Sequence, residues 1–489
     1  MVISLYTSRV ILNALGVVDY GIYNVVGGTV ALLTVLTGSL SAAISRYITF
    51  ELGTGNHKQL NKIFSISLTI QLGLSLIIVL IAETVGLWFL NYKMVIPESR
   101  LIAANWCLQF SVISFMIGLL SVPYNALIIA HEKMSAFAYI SLIEGVGKLL
   151  VAWLIVINPI DRLVYYAAMI ALLSLILRII YASYCQKHFE EAKYHFYYDT
   201  KLLRNMFSFA GWNFFGVASG RLMFQGLDLL SNLFFGVTVN AARGIATQID
   251  AALQSFINNF TTAINPQITK SYAVKEMNYM YDLIFRGARL SYFFILFFAV
   301  PLLCETPMIL SLWLNVVPDY TVNFARLTVI ISMISVLSNT MVTAMLATGD
   351  IKKYQIIIGG VGMLVLPVSW GFFILDFPPE MAYVSVLFIF LVQWFLRLFL
   401  LREMIGMSIK DYLYDVVLRV MLVSFISLPI PVLISSLLSE TIIRFLLVVG
   451  ISVLLNTGSI YYIGLTKSER YFVVNQIKKV PSKLIKDRK

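Results

Sequence analysis

Long apolar runs recur along this chain of 489 residues, and a run of about 18 or more apolar residues is long enough to cross the hydrocarbon of a bilayer as a helix. About fourteen such spans are legible, the first incomplete, with cores near 1–12, 21–49, 63–90, 101–130, 135–158, 163–185, 206–235, 240–268, 282–304, 325–348, 354–375, 380–401, 415–437 and 442–465. A spanning backbone must satisfy its own hydrogen bonds, which favours helices over open strands. The fold class expected is therefore an all-α polytopic membrane protein. Composition agrees: 12% of residues are charged and 59% hydrophobic, against about 25% charged in a soluble domain. Mean hydropathy is +0.85.

The formal net charge of +11 would suggest nucleic acid as the partner of a soluble chain. Here the Lys and Arg residues crowd into alternate loops, among them Lys58, Lys62, Lys133, Lys187, Lys193, Lys201, Lys270, Lys275, Lys352, Lys353 and the tail from Lys467. That is a topology signal: these loops face inward, both termini are expected to be cytoplasmic, and no nucleic-acid partner is expected. The opening MVISLYTSRVIL is too short to span, lacks a basic leader and carries Arg9 among apolar residues. It reads as the second half of a truncated first helix.

Two stretches rhyme. NALGVVDYGIYNVVGG from Asn13 and LFFGVTVNAARGIATQ from Leu233 each place a glycine turn, Gly16 or Gly236, before a long helix rich in small and polar residues and a Lys-bearing connector. The chain thus reads as two six-helix lobes related by an internal repeat, plus two C-terminal helices. The expected boundaries are an N-lobe over 1–186, a cytoplasmic linker over 187–204, a C-lobe over 205–404, helices 13 and 14 over 405–466 and a basic tail over 467–489. A duplicated bundle points to transport, because two lobes can rock about a shared central site.

Other classes find little support. No long soluble segment, Walker loop or Gly-x-Ser-x-Gly elbow is present, so neither enzymatic activity nor a cofactor is expected. Cys107, Cys185 and Cys304 fall in or beside apolar spans and read as packing residues. His57, His131, His188 and His195 lack ligand spacing, so no metal is expected.

Ionisable residues deep in apolar spans carry the information, since a charge at bilayer depth costs about 2.5–3.5 kcal/mol. Arg9, Lys148, Arg221 and Arg243 are the cationic candidates; Glu144, Asp228 and Asp250 are the acidic ones and the candidates for ion coupling. Glu144 and Lys148 stand at i, i+4 and either neutralise each other or serve a hydrated cavity. The span over 240–268 carries too many amides for lipid, with Gln248, Gln254 and Asn258 as candidate cavity-lining groups, although polar side chains also join helices. Pro123 and Pro266 are candidate joints.

The segments SRVILNALGVVDYGIYNVVGG, SRYITFELGTGN, SVPYNALIIAHEKMSAFAYISLIEGVGKLL and NPQITKSYA resemble the polysaccharide transporter family. These are the O-antigen and exopolysaccharide flippases of the multidrug/oligosaccharidyl-lipid/polysaccharide superfamily. The resemblance implies two lobes around a cavity that opens alternately to each side of the bacterial cytoplasmic membrane. It implies an undecaprenyl diphosphate-linked oligosaccharide as substrate, and a polysaccharide polymerase and chain-length machinery as partners in lipopolysaccharide or related assembly. Arg9, Lys148, Arg221 and Arg243 would then meet the diphosphate, a role suited to cations and above all to the Arg fork. Two alternatives remain at this point: an ion-coupled multidrug or cation exporter of the same superfamily, and a membrane polysaccharide polymerase or ligase.

Overall fold

The computed structural model describes residues 10–11, 14–16, 19–20, 22–23, 26, 34–92, 94, 96–157, 161–314 and 317–471, with the side chains of all of them but 34–37, 156, 157, 237 and 240. Helices account for nearly all of these residues and no strand occurs among them. In chain order they are α1 (Thr34–Thr54), α2 (His57–Tyr92), α3 (Leu101–Ala130), α4 (Met134–Ile157), α5 (Arg162–His188), α6 (Thr200–Phe235), α7 (Val237–Ala273) and α8 (Met277–Cys304). There follow α9 (Thr306–Trp313), α10 (Thr321–Val336), α11 (Asn339–Thr348), α12 (Lys352–Ile374), α13 (Met381–Ile405), α14 (Ile409–Leu437) and α15 (Ile442–Gly464).

The all-α membrane class is borne out, but the count of fourteen spans is not reached. Nine helices among the described residues are long and apolar enough to cross a bilayer, or ten if the bent pair α10–α11 is one span. The shortfall has a physical reason. α6 and α7 have 36 and 37 residues but are too polar to pass as lipid-facing spans, as is α1. The first expected span, 1–12, lies outside the described residues except for residues 10 and 11.

Helix ends are set by local chemistry. The Asn56 side chain accepts from Gln59 N at 3.1 Å to start α2, and Asp161 accepts from the backbone N–H groups of Leu163 and Val164 to start α5. The two rhyming turns share a conformation: Gly16 and Gly236 have φ of 78° and 77°, a left-handed region where a Cβ is costly.

Two compact units emerge, Met1–Ala218 with Thr269–Lys275, and Ser219–Ile268 with Glu276–Lys489. The division runs through α6 and the last turns of α7, and the connector 187–204 lies wholly in the first unit. There Asn61 Nδ2 donates to the Glu191 and Lys193 carbonyls at 2.9 and 2.7 Å, and Phe189 stacks on His131 with centroids 4.1 Å apart. The core of the first unit joins α2, α3 and α5 through Ala82, Ala104, Cys107, Leu108 and Leu163. That of the second joins α6, α7, α10, α12 and α13 through Met223, Leu227, Ala242, Phe324, Val365 and Val386. All three cysteines are buried and free, as packing residues would be.

Helix continuity breaks where no proline stands. α3 runs through Pro123 and α7 through Pro266, whereas α10 and α11 meet at 40° across Leu337–Ser338. The carbonyl released at that break is taken by the Tyr412 hydroxyl, which donates to Leu337 O at 3.0 Å.

Candidate functional site

The polar surface of the second unit is built on the α6–α7 hairpin. Along α6, Arg221, Gln225, Asp228 and Asn232 are all exposed and follow one another at intervals of four, three and four residues, so they form one stripe. Beside it runs a second exposed stripe of Leu222, Leu229 and Leu233. α7 is more one-sided. Its exposed face carries Ala241, Gly244, Gln248, Ala251, Ser255, Asn258 and Asn259. Among its described side chains the one large apolar group exposed is Phe256, which stacks on Phe298. A face of small and amide side chains gains nothing from hydrocarbon, so this stripe requires water or a polar ligand.

The Gly236 turn brings the two helices into register. Asp228 and Arg243 lie at similar distances on either side of it, and Arg243 Nε donates to Asp228 Oδ1 at 2.7 Å. The Arg243 side chain is only 6% exposed and that of Asp228 is 53% exposed. The guanidinium also faces the Tyr383 ring at 5.3 Å, and its Nη1 is buried with no hydrogen-bond partner. About two turns further along α7, Asp250 accepts from the Ser332 hydroxyl at 2.6 Å, and Gln254 Nε2 spans Asp250 and Ser335 at 3.4 and 3.3 Å.

In the first unit, Glu144 and Lys148 pair directly at 2.6 Å, with side chains 41% and 52% exposed. They occupy a polar stripe of α4 with Ser141 and Gly145, while Tyr139, Leu142, Val146, Leu150 and Trp153 point elsewhere from the same helix.

Two of the four cationic candidates hold a carboxylate: Lys148 pairs with Glu144 at the i, i+4 spacing that already allowed mutual neutralisation, and Arg243 pairs with Asp228 across the hairpin. Arg9 lies outside the described residues. Arg221 alone of the four remains exposed without a carboxylate in ion-pair range among the described residues.

Sequence reasoning also missed several partners. Gln225 and Asn232 were legible, since they share the spacing of Arg221 and Asp228. Ser332, Ser335 and Tyr383 were not, because their roles arise from tertiary packing of α10 and α13. Arg178, deep in α5, was passed over too; it sits 4.1 Å above the Tyr124 ring. Among the described residues no group of three or more His, Cys, Asp or Glu side chains is arranged to hold a metal.

Known proteins share this architecture. Solved structures of MATE in complex with MaL6 and of MATE in the straight conformation align with TM-scores of 0.71 and 0.73, at 11% and 12% identity, over 83% of this chain and 92% of theirs. A MOP superfamily transporter from Pyrococcus furiosus Vc1 (DSM3638), described as having a binding pocket of reversed polarity, aligns at 0.68 and 12% identity over 83% and 92%. At such identities the likeness is one of fold. No curated protein matches the chain significantly. The family model described as "Polysaccharide biosynthesis protein" matches residues 1–272, more than half of the sequence, and bears out the resemblance read from its segments: the chain belongs to that family.

Proposed function

We propose that the protein is a flippase that carries an undecaprenyl diphosphate-linked oligosaccharide across the bacterial cytoplasmic membrane by alternating access. The supporting observation is the exposed polar surface of α6 and α7: Arg221 has no carboxylate in ion-pair range among the described residues and shares its stripe with Gln225, while α7 exposes Gln248 and Asn258. Arg221 is the diphosphate ligand in this reading. Lys148 and Arg243 assist only where Glu144 and Asp228 release them, and Arg9 completes the proposed set. Amides suit sugar hydroxyls, each presenting both donors and acceptors. Glu144, Asp228 and Asp250 are the proposed ion-coupling groups. Family membership supports a role alongside a polysaccharide polymerase and chain-length machinery, with both termini cytoplasmic.

The test is transport of a labelled lipid-linked oligosaccharide by the full chain in proteoliposomes. Arg221→Gln should lower the initial rate about tenfold to a hundredfold, the loss of one charge-assisted contact of about 1.5–3 kcal/mol. A rate unchanged by that substitution removes the proposed phosphate ligand. Collapse of both proton gradient and potential should slow uptake; an unaffected rate sinks the coupling.

One observation favours a second reading. The balance of two Arg and two Asp along residues 219–268 of α6 and α7 is closer to what an ion-coupled exporter of organic cations needs than a surplus of positive charge would be. Under that reading Arg221→Gln leaves transport intact, and Asp250→Asn abolishes it.

A further inference from the structure

We infer that the bend between α10 and α11 is imposed from outside the helix by the C-terminal pair α14–α15, with the Tyr412 hydroxyl as its pin, so that this pair braces the interior of the second unit. The local sequence does not account for a break of 40°. ISVLSNTM, from Ile334 to Met341, holds neither proline nor glycine, and none of its residues has a left-handed backbone. Ser335 Oγ does donate back to Ser332 O at 3.0 Å, a bond that can bend a helix. Yet the same bond at Ser75 and at Thr261 leaves α2 and α7 unbroken there.

What differs at the bend is the fate of one carbonyl. In an unbroken helix Leu337 O would accept from the N–H of Met341; here it accepts from the Tyr412 hydroxyl at 3.0 Å. Tyr412 is fully buried, and Phe285 of α8 and Trp394 of α13 pack against its ring with centroids 5.5 and 6.3 Å away. α8 holds the other arm. Thr340 Oγ1 donates to Ile284 O at 3.0 Å, where a Cβ on Gly287 would stand 2.5 Å from Thr340 Cγ2. The end of α10 is thus pinned by α14, and the start of α11 by α8.

The brace is itself anchored to α8 by buried charge at both ends. Arg289 of α8, 2% exposed, donates through Nη1 to Asp415 O at 3.0 Å, three residues beyond the pin. Its Nη2 donates to Glu469 Oε1 at 2.5 Å, just after α15. At the opposite end Arg444, which opens α15, pairs at 2.7 Å with Glu305, fully buried directly after α8, and its Nη1 donates to the carbonyls of Ser435 and Leu438. Arg289 and Glu305 lie about 24 Å apart by the helical rise. Parting a buried ion from its partner is strongly unfavourable, so the pair cannot tilt freely on α8, and the pin stays where the bend needs it.

The experiment measures the bend in the full chain, reconstituted in nanodiscs with Cys107, Cys185 and Cys304 replaced by alanine. Nitroxide labels replace Asp350, just beyond α11, and Lys410, near the start of α14, both exposed, and double electron–electron resonance reads their separation. α11 has 10 residues, so straightening a 40° bend carries its far end through about 10 Å. Tyr412→Phe, which keeps the ring and removes the donor, is expected to shift the separation by up to that distance. Asn339→Pro forbids a straight helix, because proline has no N–H and its ring meets the carbonyl four residues back. It should leave the wild-type separation unchanged and reverse the shift in Tyr412→Phe. Labels at Glu403 and Lys410, on α13 and α14, should keep their separation throughout. An unshifted Tyr412→Phe overturns the inference, as does a shift that Asn339→Pro fails to reverse or that the Glu403–Lys410 pair shares. Should Tyr412→Phe not fold, Arg289→Met with Glu469→Gln loosens the brace without touching the pin; a smaller shift of the same sense is then expected, and none at all overturns the claim.

Discussion

Each unit holds an ion pair among the candidate residues, and the two pairs differ in what they tie together. Glu144 and Lys148 sit on one helix, both half-exposed, and the bond between them constrains no other element. Asp228 and Arg243 belong to different helices, and Arg243 is almost wholly buried. Breaking the first changes a local charge distribution. Breaking the second leaves a guanidinium in the packing between α6, α7 and α13 whose Nη1 already has no hydrogen-bond partner. The same residue types thus serve as a movable surface charge in one unit and as a clamp in the other.

The sharpest way to break this comparison is Asp228→Ala. It strands the Arg243 charge, and removal of one partner from a buried pair costs about 3–5 kcal/mol. Half-exposure of Asp228 lets water compensate in part, so a loss of about 2–3 kcal/mol is expected, read as a lowered thermal midpoint in detergent. Asp228→Ala combined with Arg243→Met should recover much of that loss, because no charge is then left buried. A double variant no more stable than Asp228→Ala would show that the pair does not act as a clamp.

How much of this was legible in advance follows from how local each cause is. The apolar runs fix the helices, because length and hydropathy are properties of single segments. The i, i+4 pairing of Glu144 with Lys148 was equally local. Arg243 and Asp228 stand fifteen residues apart, and only the left-handed turn at Gly236 makes them partners. Sequence gave both residues, yet not the bond. Asp250 shows the limit more plainly: its hydroxyl partner Ser332 is 82 residues away and reaches it only through the packing of α10 on α7. Pro123 and Pro266 stand within continuous helices, while the break at Leu337–Ser338 carries no proline and is met by the hydroxyl of Tyr412, 75 residues on.

A third ionic device, in the first unit, shows that clamping does not belong to one unit alone. Arg100 bonds to both Asp19 and Asp161, so it ties the start of α5 to the start of α3 and to residue 19. The Arg100 guanidinium holds the Asp161 carboxyl below the usual carboxylate range, against the upward push of its own burial, and the backbone N–H groups of Val164 and Leu163 add to the lowering. A carboxylate with a depressed folded pKa stabilises fully above the unfolded value of about 3.9 and loses that contribution as pH falls through the folded one. Asp161→Ala should therefore cost about 1 kcal/mol at neutral pH as a lost helix cap. The gap in thermal midpoint between wild type and variant should narrow below about pH 4. A gap that widens on acidification would mean that the carboxylate is not what Arg100 and the helix start recognise.

The smallest effect on stability is expected at Glu144→Gln, and its smallness is the useful result. A half-exposed i, i+4 pair contributes about 0.3–0.5 kcal/mol, so the thermal midpoint should scarcely move. Glutamine keeps the hydrogen-bond acceptor and removes the charge, which leaves Lys148 with an uncompensated positive charge on the polar stripe of α4. If that stripe takes part in phosphate capture, Glu144→Gln should strengthen retention of undecaprenyl diphosphate and Lys148→Gln should weaken it, with neither variant less stable than the wild type. Equal retention in both would assign the pair to mutual neutralisation alone, and the anion contacts would then fall to Arg221 on α6.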